Sequence, residues 1–142
     1  MDRHHIVAAS IVGGLALLGS ARAADPLPHS LSGSWYGASQ GGKPMNFEVQ
    51  LAVEKVSPDG SVEGKLTRWG NGCGAKDEPF KGTYDGTTFR FTSMSQANVN
   101  AARRDGNCGM DEYILTRSAD GKVFDGKFGD VGAPRFNVTL KP

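Results

Sequence analysis

An all-β fold is what this 142-residue sequence predicts, in the form of a single eight-stranded antiparallel up-and-down barrel. Three observations carry that expectation. Apolar side chains recur with period two through eight short runs, the spacing of strands with one buried face. Tight Asp-Gly turns alternate along the chain with longer connections. The pattern apolar-x-Gly-x-apolar also returns four times, at Leu31 to Trp35, Val62 to Leu66, Phe80 to Tyr84 and Phe124 to Phe128. A β-sandwich is the alternative architecture.

Residues 1–23 have the layout of a secretory signal. Arg3 supplies the charged start, Ile6 to Leu18 an uncharged apolar stretch, and Ala21-Arg22-Ala23 a small-x-small cleavage site. Cleavage near Ala23 and export to the periplasm or beyond are expected. The apolar stretch is too short for a bilayer span of about 20 residues, and no cysteine lies near the cut to take a lipid. Residues 24–30, Ala-Asp-Pro-Leu-Pro-His-Ser, then read as a flexible N-terminal arm. Residues 31–142 form the barrel domain, enough for one core. Removing 1–23 takes Arg3 and Arg22 from the 16 basic residues and Asp2 from the 15 acidic ones, leaving 14 against 14. A domain without net positive charge is a poor partner for nucleic acid or an anionic membrane.

The strands follow in order. The first, 32–38, carries Trp35. The second, 45–55, places Met45, Phe47, Val49, Leu51 and Val53 on one face and Asn46, Glu48 and Gln50 on the other. The third, 61–68, turns Val62 and Leu66 inward, the fourth, 79–84, Phe80 and Tyr84, and the fifth, 87–93, Phe89 and Phe91. The sixth, 111–118, is the least regular, because Ile114 lies opposite to Tyr113 and Leu115. The seventh, 122–128, offers Phe124 and Phe128, and the eighth, 134–141, Phe136, Val138 and Leu140. Within the eighth, Asn137-Val138-Thr139 matches a glycosylation acceptor but is read as strand.

Alternation points Gly33, Gly64, Gly82 and Gly126 inward between core side chains. Glycine weakens a strand interior, so four in equivalent places need a common cause. Bending of the strands as the sheet closes, with close interior packing, is the preferred one. Room for an opposing ring or a ligand is the other. The tight turns, at Ser57-Pro58-Asp59-Gly60, Asp85-Gly86 and Asp120-Gly121, join strands 2 to 3, 4 to 5 and 6 to 7. In an up-and-down meander they share one end, and the longer connections 39–44, 69–78, 94–110 and 129–133 crowd the other. The barrel therefore has one elaborated mouth.

The strand 5 to 6 connection has room for a short helix over 93–104. Ser93 and Gln96 have capping-box spacing, Arg103 and Arg104 suit its C-terminal end, and Gly106 can stop it. The two cysteines, Cys73 and Cys108, lie in connections 3 to 4 and 5 to 6, both at the mouth. An even pair in an oxidising compartment predicts a disulfide. Neither belongs to a C-x-x-C pair, which removes the thioredoxin-like alternative.

Little catalytic chemistry is available. His29 is the only histidine outside the leader, so a Ser-His-Asp triad and a multi-histidine metal site are excluded, and neither metal nor cofactor is expected. No phosphate-binding loop or dinucleotide fingerprint occurs. Asp77, Glu78, Asp111 and Glu112 could meet at the mouth as a two-carboxylate site, but loop carboxylates more often pair with neighbours such as Lys76 and Arg103. No residue is assigned a catalytic role. Binding is the more economical class. Trp69 follows strand 3 beside Arg68, and with Arg103 and Arg104 it makes a candidate binding surface of residue types enriched in hot spots. The competing role for Trp69 is a lid folded over the core.

The stretch Leu31-Ser-Gly-Ser-Trp-Tyr-Gly37 resembles the opening of calycin-type barrels, the lipocalins and avidins. There a G-x-W on the first strand packs its Trp at the barrel base. Gly33 and Trp35 match, and the resemblance implies that structural role for Trp35. The same Leu31-Ser-Gly-Ser-Trp35 is similar to the start of bacterial periplasmic metalloprotease inhibitors, disulfide-bonded eight-stranded barrels with a cleft-entering N-terminal arm. The expected function is an exported, non-enzymatic binding protein presenting a disulfide-fixed loop surface at one barrel end to a protein or other ligand. The alternatives are a carrier of a small apolar ligand in the interior, and a periplasmic protease inhibitor acting through residues 24–30.

Overall fold

Eight strands close into one antiparallel barrel in simple sequence order, β1-β2-β3-β4-β5-β6-β7-β8. They are β1 (Ser30–Ala38), β2 (Pro44–Val56), β3 (Ser61–Gly70), β4 (Ala75–Tyr84), β5 (Thr88–Ser93), β6 (Asp111–Arg117), β7 (Phe124–Asp130) and β8 (Phe136–Lys141). The computed structural model describes residues 25–38, 42, 44–70, 75–93 and 110–142. Pairing of Ser32–Trp35 with Val138–Lys141 joins β1 to β8 and completes the cylinder. The barrel, not the sandwich, is the architecture. Among the described residues no helix is long and apolar enough to cross a membrane. The helix expected over 93–104 lies outside the described residues except for Ser93, which ends β5.

The three short turns share one end, and one local mechanism shapes them all. Gly60, Gly86 and Gly121 take positive φ, at 86°, 96° and 73°, the left-handed region that favours glycine. The preceding Asp caps the turn: Asp59 accepts from the Ser61 N–H, Asp85 from those of Thr87 and Thr88, and Asp120 from that of Lys122. These bonds, preceded at Asp120 by the stronger bond from the Ser118 hydroxyl, favour the ionised carboxylates and hold all three below the usual carboxylate range.

Inside, the expected aromatic positions are filled. Trp35 stacks on Phe47 with ring centroids 4.7 Å apart and meets Phe128 at 4.5 Å. Phe91 stacks on Tyr113 at 4.5 Å, and Phe136 packs half-buried against the core. The four inward glycines are points of close approach. A Cβ at Gly33, Gly64, Gly82 or Gly126 would overlap the carbonyl oxygen of Thr139, Ala52, Arg90 or Ile114 on the adjacent strand. At Gly64 and Gly82 it would also strike Phe80 and Phe91. The space beside these glycines is taken by neighbouring strands and rings, as bending and packing require.

Two expectations are corrected by contacts made in three dimensions. Strands β3 and β4 run on to Gly70 and from Ala75, past the limits 68 and 79; in β4 the inward position before Phe80 is the charged Glu78, which breaks the apolar alternation. A register shift between Leu66 and Arg68 accommodates it. Residues 25–29 are not a free arm. Leu27 is buried in the core at the short-turn end, the Val53 N–H donates to the His29 carbonyl at 2.8 Å, and Arg117 Nη1 donates to the carbonyls of Asp25 and Pro26 at 3.0 and 3.2 Å. The same nitrogen donates to Tyr84 Oη at 3.1 Å.

Candidate functional site

The mouth end of β3 presents two chemistries on opposite faces, because successive strand residues point to opposite sides. Even positions from Val62 to Arg68 face inward, and Trp69 faces out. Arg68 is 4% exposed and Trp69 46%. The two residues grouped in the expected surface are therefore separated by the sheet itself. Trp69 is likewise no lid over the core. Arg103, Arg104, Cys73 and Cys108 lie outside the described residues.

On the inner face Arg68 stands between two carboxylates. One guanidinium nitrogen pairs with Asp111 on β6, and the other lies 3.9 Å from Glu78 on β4. Ser93, wholly buried at the end of β5, accepts from the Asp111 N–H at 3.4 Å. Tyr113, two residues along β6, is fully buried beside them. Burial pushes the Tyr113 hydroxyl well above its ordinary range, with Asp111 and Glu78 reinforcing the shift and Arg68 opposing it. Burial also pushes the Asp111 carboxyl up, although Arg68 pulls it back. Of the four carboxylates expected at the mouth, only Glu78 and Asp111 converge. Asp77 is exposed in a positive-φ conformation at 51°, and Glu112 lies 3.8 Å from Arg90 and accepts from the Gly132 N–H. Both converging carboxylates face a guanidinium. No group of three His, Cys, Asp or Glu among the described residues is placed to hold a metal.

On the outer face a shallow, open groove of about 450 Å³ crosses β1, β2 and β3, lined by Ser32, Gly33, Ser34, Glu48, Val49, Gln50 and Trp69. Register builds it. Trp69 pairs with Glu48 and Glu48 with Ser34, while Gln50 pairs with Ser32. Two cross-strand rows thus lie side by side, with short serines on β1 leaving the hollow and the indole on β3 bounding it. Reading strand by strand finds Trp69 but misses the rest, since Ser32, Ser34, Glu48 and Gln50 look like an ordinary wet face. Ser93, read from the sequence as a helix cap, and Tyr113, in the least regular strand, are both buried beside the charged Arg68 group.

No known family model, curated protein or solved structure matches the chain.

Proposed function

We propose that this chain is an exported, non-enzymatic binding protein built on a calycin-like barrel, which engages its ligand with the outer flank of the mouth end rather than with its interior. The observation that carries the reading is Trp69, 46% exposed at the wall of an open groove, in a barrel whose other tryptophan is stacked in the core. Indole combines a large apolar face with a polar N–H, which is why tryptophan concentrates at binding hot spots. Export is our reading of the leader-like residues 1–23, and a Cys73–Cys108 bond would tie together the connections after β3 and β5. The interior supports the same reading: aromatic rings fill it, and the Glu78 and Asp111 carboxylates are engaged by Arg68 rather than presented to a substrate.

The test is affinity capture from the native envelope and growth medium with wild type, Trp69→Ala and Trp69→Ala/Arg103→Ala proteins. Thermal unfolding checks that all three are folded. Wild type should retain a saturable ligand that the single variant loses by at least tenfold. Equal retention by Trp69→Ala would remove the groove flank from the function.

A further inference from the structure

Resting on that reading, we infer that the groove on β1, β2 and β3 binds a neutral, hydroxyl-rich glycan chain. Among the described residues five side-chain pairs bridge neighbouring strands elsewhere on the outer face. Glu54 pairs with Lys65, Glu63 with Lys81, Arg90 with Glu112, Lys127 with Asn137 and Thr139 with Asp125, each across neighbouring strands. The groove has no such pair. Among the described residues no hydrogen bond or ion pair engages the side chains of Ser32, Ser34, Glu48 or Gln50, although register sets them in adjoining rows. Their donors and acceptors are left for something else, and the one exposed tryptophan stands at the end of one row.

The chemistry of that set selects the ligand class. Serine hydroxyls and the Gln50 amide both donate and accept, and Glu48 accepts only. Sugar hydroxyls, which do both, match them without leaving a buried charge. A pyranose ring also has an apolar C–H face that can lie on an indole. The single formal charge in the lining is the Glu48 carboxylate, which repels polyanions. Lys141, the cross-strand partner of Ser32, stands outside the lining. An extended peptide is disfavoured by the topology. Strand addition needs an unpaired sheet edge, and β1, β2 and β3 are each paired on both sides in a closed barrel. The volume, about 450 Å³, lies within the roughly 300–1,000 Å³ of small-molecule sites. Its openness suits a chain that passes across the sheet with one side in water.

The experiment is binding of the purified protein to an array of neutral oligosaccharides including cellohexaose, chitohexaose and maltohexaose, with polygalacturonate as the anionic control. Hits are followed by Trp69 fluorescence and calorimetry. At least one neutral oligosaccharide should give a saturable change in emission, and polygalacturonate none. Glu48→Ala and Gln50→Ala should each weaken that binding at least tenfold, and Trp69→Ala should abolish its heat. Lys65→Ala, on the same outer face but outside the groove, should leave it unchanged. Binding that survives Trp69→Ala or Glu48→Ala overturns the inference, as does the absence of any neutral glycan hit. In the latter case, Trp69-dependent capture of a protein from the envelope would preserve the groove as a binding surface and replace the glycan with a protein. Loss of both would overturn the broader reading as well.

Discussion

Arg68 carries a charge into the barrel and holds two carboxylates there, which makes it the residue whose removal should be felt most. Arg68→Met keeps an unbranched apolar stem and deletes the cation. Breaking a buried ion pair in this way costs about 3–5 kcal/mol. Its pH dependence has a definite sign. Burial already pushes the Asp111 carboxyl upward against the pull of Arg68, and without Arg68 the rise grows. The folded variant then keeps the Asp111 proton where the unfolded chain has lost it, so stability falls as pH rises from about 4 toward neutrality. Denaturant titrations should show a larger loss at pH 7 than at pH 4, and an equal loss would mean that Asp111 is left without an uncompensated charge. Asp59, Asp85 and Asp120 act in the opposite sense. Their lowered pKa values give stability that is lost as pH falls, but this is common to both proteins and cancels in the comparison.

The elements differ in how they are held. The short turns are made by residues two or three apart, Asp accepting and Gly turning, and they form wherever that pair sits between two strands. The segment 25–29 is held by residues from distant strands, with Leu27 in the core and Arg117 on its carbonyls. A composition of two prolines and polar residues reads as mobile, and only the closed barrel supplies a place for Leu27. The connections after β3 and β5 contain Cys73 and Cys108 and leave the same end of the barrel. A bond between them closes about 35 residues, worth roughly 3–4 kcal/mol in the chain-entropy model. Thiol titration of the denatured, non-reduced protein should find no free thiol. Cys73→Ser/Cys108→Ser should lower stability by about that amount, and two titratable thiols in the oxidised protein would remove the bond.

At the scale of the molecule, closure depends on four inward glycines, one in each of the pairs β8–β1, β2–β3, β4–β5 and β6–β7. Gly126→Ala puts a methyl group onto the Ile114 carbonyl, and overpacking of this kind costs about 1–3 kcal/mol, or more where backbone must shift. Gly132, at φ 84° with open space around it, sets the comparison, since a left-handed L-residue costs about 1–2 kcal/mol. Urea unfolding should show Gly126→Ala as the more damaging change, and equal losses would mean that closure does not require the glycine. What made the barrel legible was local: alternation gave eight strands and their inward faces, and turn chemistry gave their order and the crowded end. Those signals arise within a few residues of one strand or turn, so the chain alone determines them. It could not show that Arg68 would meet Asp111 and Glu78, or that Trp69 would share a groove with Ser32, Ser34, Glu48 and Gln50. Those groupings depend on the register of β1 with β2 and of β2 with β3 for the groove, and on the barrel bringing β6 opposite β3 for Arg68 and Asp111, which patterns within one strand do not carry.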